Sequence, residues 1–153
     1  MKKTLYLACG LALMSLFGCK SSKQVNVSTK AEFPQFSAEA HRGGRGLMPE
    51  NTIMAMIDAI DRGVTTLEMD AQITLDKEVV IAHDPWLNPL FVKSPEGKEL
   101  AKKDQEQYII YKMKYDDLRN YDVGSKFYAA FPQQKKVKAS IPRLADLIDS
   151  VQT

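Results

Sequence analysis

The sequence predicts an α/β fold, and three observations carry that prediction. A short, partly apolar stretch at residues 36–41 runs into glycines. Apolar residues at helical spacing follow at residues 53–62. Strict alternation then sets in from residue 64 to residue 75. Strand, helix and strand in that order form the building unit of a parallel sheet.

Each element has its own local signals. Residues 36–41 read as a strand entering the loop Arg42-Gly43-Gly44-Arg45-Gly46. Ile53, Met56, Ile57 and Ile60 recur at helical spacing, with Asp58, Asp61 and Arg62 interleaved. Asn51 or Thr52 can cap that helix, and Gly63 stands where a helix C-cap glycine belongs. Along residues 64–75, Leu67, Met69, Ala71 and Ile73 alternate with Glu68, Asp70, Gln72 and Thr74. Period two places the two sets on opposite faces, so one strand with an acidic face is expected. Asp76-Lys77-Glu78 makes a turn into an apolar strand at residues 79–82, completing a hairpin. Residues 85–140 change character: Pro85, Pro89, Pro95 and Pro132 interrupt them, and tyrosines and lysines are frequent. An insertion of short strands and turns is expected, with a helix starting at Tyr115-Asp116-Asp117-Leu118. An amphipathic helix closes the sequence over residues 141–151, with Pro142 in its first turn and Leu144, Leu147, Ile148 and Val151 on one face.

The first 18 residues do not belong to this fold. Lys2 and Lys3 precede an apolar run at residues 5–17, too short for a membrane span. It reads as a secretory signal, and Leu16-Phe17-Gly18-Cys19 resembles a bacterial lipobox. Cys19 is then the expected lipidation site of an exported, membrane-anchored bacterial lipoprotein, periplasmic or at the cell surface. The alternative is an ordinary cleaved signal with Cys19 incidental. Residues 19–35 complete a lipidated cysteine and polar tether, and residues 36–153 form the folded domain. Hydrophobic residues make up 44% of the chain and charged residues 26%, which fits a globular domain and excludes disorder. Without residues 1–18 the 19 basic and 19 acidic residues balance, so a basic surface for nucleic acid is excluded as the leading idea. Cys19 alone remains of the two cysteines, so no internal disulfide can form.

Three groups near strand ends could carry chemistry. His41-Arg42-Gly43 sets an imidazole and a guanidinium beside exposed backbone N–H groups, and Arg matches phosphate oxygens bidentately. It could equally be a polar turn. Glu68 and Asp70, two apart on a strand, point to one side and are hard oxygen ligands for Ca²⁺ or Mg²⁺. A merely solvated strand face is the other reading. His83-Asp84 ends an apolar strand, where imidazole can act as acid or base or simply serve structure.

In order, His41-Arg42-Gly43, Pro49-Glu50-Asn51-Thr52, Glu68-x-Asp70, Thr74-x-Asp76 and His83-Asp84 resemble the glycerophosphodiester phosphodiesterase family. Ile141-Pro142-x-Leu144 resembles the segment that opens the family's next helix. The resemblance implies the N-terminal portion of a TIM (β/α)₈ barrel with an insertion after strand 2, and a site at the C-terminal strand ends. It implies His41 and His83 as an acid/base pair, Arg42 on the phosphate, Glu68 and Asp70 on a divalent metal, and Glu50 lining the pocket. The implied reaction cleaves glycerophosphodiesters to sn-glycerol 3-phosphate and an alcohol. The substrate's own glycerol hydroxyl is the implied attacking group, and the insertion would cap the glycerol end.

A full barrel takes about 250 residues. The family's later Glu-x-Lys strand, which implies a third metal carboxylate and a phosphate-binding lysine, has no counterpart here. Glu96-x-Lys98 matches the letters but sits in a Pro-Glu-Gly-Lys turn. The chain is therefore expected to be a truncated form, inactive on its own. Two other functions remain open: a non-catalytic lipoprotein binding module, and a related phospholipase D-like enzyme acting on intact lipid.

Overall fold

The computed structural model of the protein describes residues 35–152. The expected signal segment, Cys19 and all but the last residue of the 19–35 stretch lie outside the described residues.

Strand β1 (Glu39–Ala40) pairs in parallel with β2 (Thr66–Leu67), and helix α1 (Ile53–Asp61) makes the crossover between them. Thr52 caps α1 by accepting the Ala55 N–H at 3.3 Å. Arg62 ends the helix, and Gly63 follows with φ of 82°, a left-handed conformation that glycine adopts without steric cost. Ala55, Met56 and Ala59 bury their side of α1, while Ile57 and Ile60 stay exposed. Phe36 is also exposed, and the strand expected over residues 36–41 shortens to Glu39–Ala40.

The single strand expected over residues 64–75 is two strands. After β2, the chain leaves the parallel pair and re-enters as β3 (Ala71–Ile73), antiparallel to β4 (Val79–Ile81). The two strands belong to separate two-stranded sheets, so the alternation does not stay in phase. Ile73 is exposed and Thr74 is fully buried, the reverse of the expected faces. Thr74 is tolerated inside because its hydroxyl donates to Asp76 Oδ1 at 2.6 Å and accepts the Glu78 N–H at 3.0 Å.

The insertion carries no named strand. It winds through two 3₁₀ segments (Lys102–Tyr108 and Ile110–Lys112), the one-turn helix α2 (Tyr115–Leu118) and isolated bridges such as Trp86 with Ile109. Its Leu87, Val92, Leu100, Ile110, Leu118 and Val123 bury one another together with Val80 and Ile141. A second core unites Met56, Ile81 and Leu147. Leu147 comes from helix α3 (Leu144–Val151). Pro142 does not sit in its first turn: it lies before the helix, and its carbonyl accepts the Ile81 N–H at 3.0 Å. The segment before α3 therefore runs beside β4. Among the described residues the strands form no closed barrel, and no helix is long and apolar enough to cross a membrane.

Candidate active site

At the end of β1 the backbone reverses within one 3₁₀ turn, His41–Gly43. Arg42 adopts φ 53° and ψ 37°, followed by Gly43 and Gly44 at φ 75° and 85°. A side chain at Gly43 would crowd Ala55 Cβ and Met56 Sδ at 3.0 Å, so glycine lets the turn lie against α1. The left-handed conformation costs Arg42 about 1–2 kcal/mol. Directional bonds offset that cost. Its N–H donates to Glu68 Oε2 at 2.7 Å, and its carbonyl accepts the Asn51 N–H at 2.9 Å.

The Arg42 side chain is buried in a charged cluster. Nη1 donates to Glu50 Oε1 at 2.9 Å, and Nε lies 3.3 Å from Asp70 Oδ2. Arg45 Nε approaches the other Glu50 oxygen at 3.2 Å. Asn51 is itself left-handed, with φ of 56°. Its amide donates to Asp70 Oδ2 at 3.1 Å. Two guanidinium groups thus face three carboxylates, Glu50, Glu68 and Asp70, leaving one negative charge in excess. Glu68 and Asp70 each place one oxygen against Arg42. Their donor chemistry suits a hard divalent cation. Among the described residues no three His, Cys, Asp or Glu side chains converge into a metal-holding group. Mg²⁺ is commonly held by one or two carboxylates together with substrate phosphate and water, so two carboxylates beside an arginine fit such a shared site.

His83 follows β4. Its Nδ1 lies 2.8 Å from Asp84 Oδ1, and Asp84 Oδ2 accepts from Asn88 Nδ2 at 2.7 Å. Gln72 donates to the His83 carbonyl at 3.1 Å. The ring is thus oriented by a carboxylate that the insertion holds in place. His83 and Asp84 share a cleft with Glu50, Asn51, Trp86 and Phe91. His41 is exposed and lines a separate depression with Gly43, Gly44 and Arg45, which shares no residue with the His83 cleft. The fold therefore gathers Arg42, Glu50, Glu68 and Asp70 directly and brings His83 to the same cleft as Glu50. Among the described residues no hydrogen bond joins the two imidazoles. Asp76, the last member of the Thr-x-Asp pair, takes a different role. The Thr74 hydroxyl, aided by the Tyr115 N–H, holds its carboxyl below the usual range.

Sequence reasoning missed three participants. The sequence offers Asn51 as a cap and as a motif letter without a role in the site, and Arg45 only as part of a glycine-rich loop. Trp86 carried no signal beyond following His83-Asp84-Pro85.

The sequence pattern of the glycerophosphoryl diester phosphodiesterase family matches residues 41–153. The chain belongs to that family. It is 30% identical over 112 residues to a glycerophosphodiester phosphodiesterase of Bacillus altitudinis, covering 73% of this chain and 38% of that protein. It is 30% identical over 105 residues to the human lysophospholipase D GDPD3, covering 69% of this chain and 32% of the other. Among solved structures, an Oleispira antarctica phosphodiesterase in complex with the product sn-glycerol-3-phosphate superposes with a TM-score of 0.56 at 27% identity. That match covers 76% of this chain and 40% of the other. The chain thus spans about two fifths of the family members it matches.

Proposed function

We propose that this chain supplies the N-terminal part of a metal-dependent phosphodiester hydrolase that cleaves glycerophosphodiesters to sn-glycerol 3-phosphate and an alcohol. The observation that carries the reading is the cluster of Arg42, Glu50, Glu68 and Asp70 at the end of β1, whose Glu50 also lines the cleft of His83. Arg42 is held by Glu50, so its guanidinium is kept in position to donate to phosphate oxygens. Glu68 and Asp70 are the residues that would hold Ca²⁺ or Mg²⁺. The bound ion would neutralise charge on the phosphoryl oxygens.

The protein's own groups handle the protons. One imidazole of the His41 and His83 pair takes the proton from the attacking hydroxyl as its oxygen bonds to phosphorus. The other donates a proton to the leaving alcohol oxygen as the second P–O bond breaks, and water then opens the resulting cyclic phosphate to sn-glycerol 3-phosphate. Asp84 orients His83 for this exchange. Cys19, lipidated, would anchor the protein to the membrane.

Glycerol 3-phosphate release from glycerophosphocholine tests the reading. We expect none from the 153-residue chain by itself. We expect chelator-sensitive release when this segment is followed by the remaining barrel of a family member. His41→Ala and His83→Ala should each abolish that release with the fold intact. Turnover that survives chelation or either substitution overturns the assignment.

A second reading, cleavage of lysophospholipids, is favoured by the similarity to the human lysophospholipase D. Replacing glycerophosphocholine with lysophosphatidylcholine in the same assay separates the two.

A further inference from the structure

The insertion presents a face whose chemistry the hydrolytic site does not use. Phe127 is 54% exposed, Leu90 57% and Leu47 43%. Three contacts tie together the segments that carry these side chains. Lys136 Nζ sits 5.6 Å from the Phe127 ring centroid. The Lys135 N–H donates to the Leu47 carbonyl at 2.8 Å. Lys126 Nζ donates to the Pro89 carbonyl at 2.7 Å, which joins the Phe127 segment to Leu90.

Behind the exposed tips lies a stiff backing. Phe91, Tyr128 and Phe131 stack in series, with centroids 5.4 and 5.3 Å apart. The Arg45 guanidinium covers the Phe131 ring at 4.5 Å while it pairs with Glu50. The patch is thus built onto the wall of the cleft rather than hanging from a free loop.

Its charge is segregated. Residues 123–145 contain Lys126, Lys135, Lys136, Lys138 and Arg143 and no Asp or Glu. Lys126 is paired with Glu99, but Lys135 and Lys136 are exposed. Two acids border this cationic stretch and both are engaged: Glu99 by Lys126, and Asp58 of α1 by Arg62 with Lys135 close by. Exposed aromatic and aliphatic tips rimmed by cations of one sign match the boundary of a bilayer: apolar tips enter it and lysines meet anionic headgroups.

We propose that this face docks on an anionic lipid surface, with Leu47, Leu90 and Phe127 as the apolar contacts and Lys135 and Lys136 as the headgroup contacts. The docked orientation would set the cleft beside the membrane. The inference does not depend on acylation of Cys19 or on the hydrolytic reading.

The test is sedimentation of the full chain with vesicles, carrying Cys19→Ser in every arm so that no acyl chain contributes. One vesicle is pure phosphatidylcholine, and the other contains 30% phosphatidylglycerol. The unmodified face should prefer the anionic vesicles in a salt-sensitive manner. K135E/K136E should weaken binding to them by about tenfold or more, at roughly fivefold per lysine. K112E/K114E, a charge-matched control beside the β3–β4 turn, should keep the preference. Phe127→Ser should weaken binding to both vesicles while leaving the salt sensitivity. Circular dichroism verifies folding of each variant. Absence of an anionic preference overturns the proposal, as does an equal loss in K135E/K136E and K112E/K114E. A protein partner in place of lipid would show as unchanged vesicle binding in K135E/K136E, which also overturns it.

Discussion

The corner where β1 and β2 end and the insertion that follows β4 are both well packed, but by different forces. The corner buries Arg42, Glu50 and Asn51 and holds them with short directional bonds across two left-handed residues. The insertion buries Leu87, Val92, Leu100, Ile110 and Leu118 and has almost no regular structure. Apolar burial is non-directional, so it specifies compactness. Charged hydrogen bonds act only over narrow ranges of distance and angle, so they specify position. The catalysis proposed for the corner needs the second, and packing of the insertion can manage with the first.

This contrast can be broken most severely at Glu50. Replacing it with leucine leaves Arg42 and Arg45 buried without their shared carboxylate. The expected loss is about 3–5 kcal/mol in urea denaturation. If Glu50→Leu costs less than 1 kcal/mol, the corner is not held by its charges. Next is Leu118→Ala. Leu118 is fully buried, so the cavity should cost about 2–5 kcal/mol. The Mg²⁺ or Ca²⁺ binding proposed for the corner, followed by calorimetry, should nevertheless persist in the folded fraction, because Leu118 takes part in none of the corner's bonds.

Asp122 blurs the contrast, since it is a buried carboxylate inside the insertion. Burial pushes its pKa up, but bonds from the Ser125 hydroxyl and the N–H groups of Gly124, Ala139 and Ser125 outweigh that and leave it lowered. In the folded chain it holds fewer protons than in the unfolded chain. Its contribution is therefore present above the ordinary carboxylate pKa and is lost as pH falls through the lowered value. Asp122→Asn should cost about 1–3 kcal/mol at pH 7 and much less in strong acid, read from urea midpoints at both pH values. The smallest effect is expected at Thr52→Ala, about 1 kcal/mol from the lost cap of α1. Its measurement calibrates how far α1 supports the corner.

The β1–α1–β2 unit was legible because each signal in it is local: apolar spacing, a capping hydroxyl and a glycine past the helix end. The break between β2 and β3 was not. Alternation continues unbroken through residues 67–74, and only the pairing partners reveal that two sheets share it. Pro142 misled for a similar reason: beside β4 its carbonyl is worth more as a ladder acceptor than its ring is as a helix start. At the site, the charged residues that gather around Arg42 were all visible as motif letters. The role of Asn51 was hidden, because cap and clamp look alike in sequence. Thr52 takes the cap, and Asn51 is left to hold Asp70.

Arg42 and Asn51 bend the backbone the same unusual way and are joined by one main-chain bond. Neither can relax without disturbing the other. Glycine at either place would ease the bend but discard the side chain, and a β-branched residue would keep bulk while refusing the bend. Saturation libraries at these two positions should accordingly tolerate very few pairs, and their tolerated sets should be correlated. The course of the backbone through this turn is thus settled while the polypeptide folds.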